Sequence, residues 1–275
     1  EIADADVSRI QIGDIDAGLI SFVSENVKSH VDFDKRTGEF RANELGQFAE
    51  FNYNQYASTM DDFKWDMDKK TILLTSSGRM PDDKSIFVSR QANQSGLAFQ
   101  STKALFDMNT GIIYAEEIPH IDVADSRVFP IDGKAIIEKD AVMRPLVNSK
   151  LLAARENKFH ELFNCRIRIL GKYSISGSGN YVYKDKHLTG QIIHFNKMRV
   201  TRDSTVLAQG YISDSLEFSV SPKIRYKGSV DLNSDQEHLS FNGYVFPDHT
   251  FRDYKSLWFR YEDQPDPKKV IVDAG

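Results

Sequence analysis

Histidine, cysteine and serine are the residues of this sequence whose types could support catalysis or metal binding. The seven histidines are scattered, and no two stand four residues apart as paired ligands on one helix face would. His30 and His194 fall on the polar side of alternating runs, where solvated or hydrogen-bonded imidazoles are expected. Cys165 is the only cysteine, so an intrachain disulfide and a cysteine-based zinc site are excluded. We expect Cys165 to be a small buried hydrophobe, with a reactive thiol as the alternative.

Sequence motifs for a catalytic nucleophile or for phosphate binding also provide no evidence of catalysis. The segment Gly177-Ser178-Gly179 lacks the five-residue spacing of a nucleophile elbow and follows an alternating run, so a flexible turn is the simpler interpretation. The sequence has no Walker loop and no dinucleotide-binding fingerprint. We therefore predict no catalytic residue, no cofactor and no enzymatic activity.

Two groups of carboxylates could hold a hard cation. Asp61, Asp62, Asp66 and Asp68 lie close together in the chain, and Asp14 and Asp16 flank Ile15. Oxygen ligands on turns can bind Ca²⁺, but neither group has the spacing of a complete calcium loop. We interpret both as turn residues, with a metal site as the alternative, and we predict no metal. With 40 acidic residues, no pair can be selected as the carboxylates of a glycosidase.

Composition narrows the class of protein. The 275 residues are 40% hydrophobic and 27% charged, which is typical of a globular chain. The 35 basic and 40 acidic residues give a net charge of −5, so nucleic acid is not an expected partner. No run approaches the roughly 18 apolar residues of a spanning helix. Because the sequence lacks an initiator Met and a leader, we expect a mature protein or a fragment of a longer chain.

The elements that must position these residues are strands, because hydrophobic residues alternate with polar ones along much of the chain. Residues 218–232 alternate without a break, and a bend is expected at Pro222 or Gly228. Their polar side is a basic stripe that could meet an anionic partner, or could be a solvated sheet face: Lys223, Arg225 and Lys227. Their apolar side is core, or alternatively a lipid-lining surface: Phe218, Val220, Ile224, Tyr226, Val230 and Leu232.

Short polar turns separate the predicted strands. Three of them, at residues 33–38, 65–70 and 106–111, combine an aromatic residue with an Asp and a Gly or Lys turn. Residues 149–163 could form the one short helix, and their alternative is two short strands broken at 155–158. We predict an all-β protein, a stacked β-jelly roll or β-solenoid of many short strands. A β-region over 1–80, a main region over 81–262 and an extended tail over 263–275 are expected, with one continuous domain as the alternative.

Two segments resemble a known family. Residues 101–115 (STKALFDMNTGIIYA) look like a rung of the OstA-type β-jelly-roll proteins of lipopolysaccharide transport, and residues 205–212 (TVLAQGYI) are similar to the step that closes such a rung. The resemblance covers about residues 97–246 and departs from the family pattern at Glu116-Glu117-Ile118-Pro119. Residues 121–126 and 177–183 also resemble large uncharacterised envelope proteins of Bacteroidota. The resemblance implies a periplasmic or outer-membrane-associated jelly roll with an apolar interior.

The favoured hypothesis is a non-catalytic cell-envelope protein, acting as a structural scaffold or a lipid-handling jelly-roll module. Its expected partners are other envelope proteins or further parts of the same chain, and a lipid or an acidic glycan. The alternative is a carbohydrate-active β-helix, either a polysaccharide lyase or a glycan-binding module. A lyase requires a basic residue and acidic metal ligands on one concave surface, whereas a lipid module requires an accessible apolar interior.

Overall fold

The computed structural model describes residues 1–14, 19–79, 85–185, 190–248 and 255–270. Its strands form curled antiparallel sheets, as in a β-jelly roll or a β-sandwich, which confirms the all-β prediction. Among these described ranges, no helix has both the length and the apolarity to cross a membrane. The strands are β1 (Ile2–Asp14), β2 (Leu19–Asp32), β3 (Thr37–Ala42), β4 (Ala49–Phe51), β5 (Tyr56–Ser58), β6 (Asp62–Asp66), β7 (Thr71–Thr75), β8 (Ile86–Ser89), β9 (Ala98–Gln100), β10 (Lys103–Asp107), β11 (Ile112–Glu116), β12 (Ile121–Val123), β13 (Ser126–Phe129), β14 (Ala135–Ile137), β15 (Leu146–Leu152), β16 (Glu161–Gly171), β17 (Ser174–Lys184), β18 (Gly190–Val200), β19 (Val206–Ile212), β20 (Ser219–Ser221), β21 (Ile224–Asn233), β22 (Ser240–Pro247) and β23 (Phe259–Asp263).

The chain divides into two compact units. Unit 1 comprises Glu1–Val123, Val128–Leu146 and Arg168–Ser174, and unit 2 comprises Ala124–Arg127, Val147–Ile167 and Ile175–Gly275. The sequence-based boundary at 80/81 falls at residues 80–84, which lie outside the described residues. Within unit 1, however, β5 pairs with β8 and β7 pairs with β10, so strands on both sides of that boundary belong to one sheet.

Unit 1 is built on a twelve-stranded antiparallel sheet. Its strand order is β14-β11-β10-β7-β6-β3-β2-β4-β5-β8-β9, and β1 pairs with β2. One side of the sheet carries a cluster of buried aromatic rings with centroids 5.3 to 6.5 Å apart. The cluster comprises Phe22, Phe51, Tyr56, Phe63, Phe87, Phe99 and Phe106. Aromatic rings therefore supply much of the apolar area that this sheet buries.

Unit 2 is also built on an antiparallel sheet that buries a cluster of aromatic rings, but its strands are longer. Its strands run in the order β15-β16-β17-β18-β19-β21-β22-β23, and β20 pairs with β21. The buried side again holds a ring cluster: Tyr183, Phe218, Tyr226, Phe241 and Tyr261. Because side chains alternate across a strand, the opposite side of β21 and β22 faces outward.

The three predicted polar turns close hairpins. They connect β2 to β3, β6 to β7 and β10 to β11, and each ends with a residue of positive φ: Arg36, Lys70 and Gly111. In each, an Asp side chain accepts a hydrogen bond from a backbone N–H two or three residues later: Asp32 from Asp34 and Lys35, Asp66 from Lys69, and Asp107 from Asn109. The turn interpretation of Asp66 is thereby confirmed.

The unbroken alternation at 218–232 is not one strand. The chain reverses at Pro222-Lys223, where Lys223 has φ 66°, and β20 folds back on β21. Pro222 was one of the two predicted bend positions, and the outcome is a full turn. Gly228, the other, has φ 142° and lies opposite Gly243, where a Cβ would come within 2.5 Å of the Gly243 Cα atom. Only glycine permits that close approach of two backbones.

Residues 149–163 form no helix. They contain the end of β15, a turn and the start of β16, so the two-strand alternative is confirmed. The strands are joined by a backbone hydrogen bond from Ala153 to the carbonyl of His160. At the C-terminus, β23 ends at Asp263 and a turn follows at 267–269, and the rest of the predicted tail, residues 271–275, lies outside the described residues.

Candidate anionic-partner interface

A sheet face of unit 2 brings basic and aromatic side chains together. Cross-strand pairing places Arg225 beside Phe246, and Lys227 beside Tyr244 and Arg260. Two rows beyond Lys227, Lys197 pairs with Gln209, and Gln209 pairs with Asp231. Arg199 lies one row further along β18. Paired residues lie on one face of a sheet. We call this surface the basic–aromatic face and define it by Lys197, Arg199, Tyr211, Arg225, Lys227, Tyr244, Phe246, Trp258 and Arg260.

Arg225 is the most distinctive residue of the basic–aromatic face. Its guanidinium carbon lies 4.4 Å from the centroid of the Phe246 ring and 5.8 Å from that of Trp258. These two rings are themselves 5.4 Å apart. Cation–π stacking uses the flat sides of a guanidinium and leaves its in-plane N–H donors available. Of the described residues, none offers a carboxylate or another acceptor to the Arg225 side chain.

The other cations of the face differ in their partners. Lys227 lies 4.0 Å above the Trp258 ring and 3.4 Å from Asp214, and Arg260 is 3.3 Å from Glu262. Lys197 and Arg199 are exposed on β18, and within the described ranges neither forms an ion pair. Among the described residues, Arg225, Lys197 and Arg199 thus have no carboxylate within ion-pair distance, although Asp231 lies in the same row as Lys197.

Aromatic and amide side chains lie between these cations. Tyr211 is 65% exposed and Tyr244 is 45% exposed. Tyr211 pairs across the strands with Ser229, and Ser229 with Asn242. The face therefore combines flat rings, hydrogen-bonding groups and positive charge, which suits a partner that has apolar surfaces, hydroxyl groups and anionic groups.

The predicted basic stripe is only part of this face. Arg225 and Lys227 lie on it, whereas Lys223 lies in the turn between β20 and β21 and is exposed there. Sequence reasoning missed Lys197, Arg199, Trp258 and Arg260, because they reach the face through strand pairing and not through adjacency in the chain. The alternation of β18 places Arg199 on a polar side, but only the register with β19 and β21 brings it toward Arg225.

The predicted apolar lining is packed core. Phe218, Val220, Tyr226, Val230 and Leu232 are all buried, and Ile224 is half-buried. The rings of Phe218 and Tyr226 contact Phe241 and each other at centroid distances of 5.0 to 6.5 Å. A lipid-contacting role for these six residues stays a prediction.

The side chains that could be reactive are buried or already hydrogen-bonded. Cys165 is buried, as expected, and burial raises the pKa of its thiol to about 12, so it stays protonated at neutral pH. His30 contacts Asp4 at 2.6 Å and His194 contacts Asn180 at 2.8 Å, both on exposed faces. His187 and His249 lie outside the described residues.

His160 is the buried histidine of unit 2. Its Nε2 donates to the carbonyl of Gln236 at 2.7 Å, so Nδ1 is the acceptor that faces the Tyr181 hydroxyl at 3.3 Å. Burial lowers the pKa of His160, and the nearby His238 lowers it further, although the bond to Gln236 opposes the shift. The imidazole is therefore neutral and links the turn after β15 to the turn after β21.

The acidic clusters also have structural partners. Asp61 accepts hydrogen bonds from the Ser77 backbone and hydroxyl and from the Arg79 guanidinium, with Arg79 Nη2 at 2.7 Å. Asp62 pairs with Arg41 at 2.6 Å, and Asp68 pairs with Arg36. Asp16 and the side chain of Asp14 lie outside the described residues. Among the residues that can be assessed, no group of three His, Cys, Asp or Glu is arranged to hold a metal ion.

Two clefts of unit 1 are weaker candidates. One, of about 480 Å³, is lined by Arg9, Glu25, Phe48 and neighbouring polar residues, and Arg9 pairs with Glu25 at 3.1 Å. Another, of about 440 Å³, contains Arg144, which pairs with Glu138 at 2.6 Å. Arg9 and Arg144 thus already have carboxylate partners, whereas the second cleft also contains Arg168, which has no ion pair among the described residues. The basic–aromatic face is the stronger candidate because it combines three such cations with exposed aromatic rings. Comparison of the chain with family models, curated proteins and solved structures finds no match.

Proposed function

We propose that this protein is a non-catalytic binding module that holds an anionic partner on the basic–aromatic face of unit 2. The observation that carries the proposal is Arg225, which lies 4.4 Å from the Phe246 ring and 5.8 Å from the Trp258 ring, with its in-plane N–H donors unused by any described residue. A guanidinium held in this way loses little conformational freedom when it binds an oxyanion.

The surrounding charges support the same proposal. Lys197 and Arg199 have no described carboxylate partner, although the chain carries more acidic than basic residues. A protein with a net charge of −5 is repelled by anions at long range. Attraction must therefore come from a local surface, and its strength must fall as salt rises. The OstA-type resemblance supports a place in the cell envelope, as a scaffold that presents this face.

Charge reversal tests the proposal. The full chain is titrated against poly-L-glutamate, polygalacturonate and vesicles containing phosphatidylglycerol, at low and at physiological salt. We expect at least one of these anions to bind in a salt-dependent manner, and we expect Lys197→Glu/Arg199→Glu/Arg225→Glu to abolish that binding. The matched control is Arg202→Glu, an exposed arginine in the turn between β18 and β19. If none of the three anions binds, or if the control loses binding equally, the proposal is wrong.

A further inference from the structure

We infer that the anionic partner is an acidic polysaccharide, bound across several strands of the basic–aromatic face. This inference rests on the proposed function and deepens it by naming the class of ligand. The geometry of Arg225, the exposed tyrosines and the spacing of the charges support a polysaccharide ligand.

The Arg225 guanidinium selects a planar or fork-like oxyanion. Its guanidinium carbon lies 4.4 Å from the Phe246 ring and 5.8 Å from the Trp258 ring, and its in-plane N–H donors have no acceptor among the described residues. Two parallel N–H donors along that edge match the two oxygens of a carboxylate or of a sulfate ester. Both groups are the usual charges of acidic sugars, and a uronic acid carries its carboxylate directly on the ring.

The exposed tyrosines favour a sugar ring over a flexible chain. Tyr211 and Tyr244 present aromatic surface to solvent on the same side as Arg225. A pyranose has one apolar face that can lie on such a ring and a rim of hydroxyl groups that needs hydrogen-bond partners. Ser229 and Asn242 supply those partners in the row between Lys227 and Lys197.

The spacing of the cations indicates a polymer. Side chains on one face of a strand repeat about every 7 Å, so the three steps between rows that lead from Arg225 to the level of Lys197 span about 20 Å. A single lipid head group meets only one of these positions. A polysaccharide with a charge on successive units can occupy Arg225, Lys197 and Arg199 together, and each added contact raises the affinity through effective concentration.

Matched ligands test the inference. The full chain is titrated by isothermal calorimetry against polygalacturonate, its fully methyl-esterified form, poly-L-glutamate, and vesicles with and without phosphatidylglycerol. We expect polygalacturonate to bind at least about tenfold more tightly than the methyl ester, since esterification removes the charge and keeps the rings. We expect it also to bind more tightly than poly-L-glutamate, which has carboxylates without rings. Tyr211→Ala/Tyr244→Ala should erase that second difference.

Each other outcome has a defined meaning. If poly-L-glutamate binds as tightly as polygalacturonate, or if only the anionic vesicles bind, the polysaccharide inference is overturned while the anion-binding function stands. Binding of the methyl ester with unchanged affinity also overturns it. If no anion binds, both proposals fall. Arg225→Lys, which keeps the charge and loses the fork, should weaken polygalacturonate binding about fivefold or more.

Discussion

The outward sheet faces of the two units treat charge in opposite ways. On unit 1, basic side chains contact carboxylates: Lys28 contacts Asp6 at 3.3 Å, Lys64 contacts Glu39 at 3.5 Å, and Arg41 contacts Asp62 at 2.6 Å. On unit 2, Arg225, Lys197 and Arg199 have no carboxylate within ion-pair distance among the described residues, although Asp231 and Glu262 lie on the same face.

Paired charges on a sheet face contribute to stability, whereas unpaired cations can contribute to the recognition of a partner. Opposite charges in directly facing positions stabilise a sheet by a few tenths of a kcal/mol per pair and leave little field for a partner. Cations without a carboxylate partner contribute little electrostatic stability to the fold and create a local field that attracts an anion. Arg41 and Lys64 of unit 1 thus have carboxylate partners, whereas Arg225, Lys197 and Arg199 of unit 2 have none among the described residues.

The strongest case of internal pairing is Asp61 in unit 1. Its side chain is only 4% exposed, and Arg79 is its charged partner. We expect Arg79→Ala to lower the free energy of unfolding by about 2 kcal/mol, because it leaves a buried carboxylate uncompensated and Arg79 itself is partly exposed. Urea denaturation measures the change. The exposed Arg36→Ala is the control and should cost less than about 0.5 kcal/mol.

The same pair predicts a pH dependence. Burial alone would raise the pKa of Asp61, but the hydrogen bonds from Ser77 and Arg79 outweigh it and leave that pKa below the ordinary value of an aspartate. A carboxyl with a lowered pKa stabilises the fold above its unfolded pKa, and this contribution disappears as the pH falls through the folded value. Wild-type stability should therefore drop below pH 4 more steeply than that of Arg79→Ala. Parallel slopes would contradict the assignment.

Unit 2 handles its buried titratable group differently, by keeping it neutral. Because burial lowers the pKa of His160, the folded state disfavours its protonation. The stability that this neutral group provides is present above the unfolded pKa of about 6.5 and is lost as the pH falls from there through the folded value. His160→Gln should make the urea midpoint less sensitive to pH between 7.5 and 5. An unchanged pH profile would show that His160 does not link these two turns.

Trp258 should act as a positioning residue for the basic–aromatic face. Its ring lies 4.0 Å from the Lys227 ammonium and 5.8 Å from the Arg225 guanidinium. We expect Trp258→Leu to weaken the binding of polygalacturonate about threefold through the loss of cation–π orientation. Arg225→Gln/Trp258→Leu should be no weaker than Arg225→Gln alone if Trp258 acts through Arg225. Additive losses would indicate that Trp258 acts through Lys227, which its ring also contacts, or through the ligand directly.

The smallest effect is expected on the unit 1 face. Arg41 pairs with Asp62, which is 20% exposed, and Arg41→Gln should cost about 0.5 kcal/mol of stability. Thermal denaturation at low salt is the measurement, and the difference should shrink at high salt because the ion pair is exposed. A cost that does not depend on salt would mean that packing of the arginine stem is responsible.

The fold class could be predicted because the alternation of hydrophobic and polar residues that marks a strand is visible within each short segment of the sequence. Each hairpin turn was also visible, since Asp66 and Asp107 supply their own turn hydrogen bonds. The reversal at Pro222 was seen only as a bend, because alternation continues in phase on both sides of it. The basic–aromatic face could not be predicted as a whole, since Arg199 and Trp258 join Arg225 only through the register of five strands, β18, β19, β21, β22 and β23. Local pattern specifies the strands, whereas non-local pairing creates the surface.

The most direct test compares Arg225→Gln with Arg41→Gln, which remove one arginine from each face. Both variants are measured for affinity to polygalacturonate at two salt concentrations and for thermal stability. We predict that Arg225→Gln weakens binding about tenfold and lowers stability by no more than the roughly 0.5–1 kcal/mol of an exposed cation–π contact, whereas Arg41→Gln leaves binding unchanged and lowers stability by about 0.5 kcal/mol. If both variants weaken binding equally, attraction would be a property of total charge, and the assignment of recognition to the unit 2 face would be contradicted.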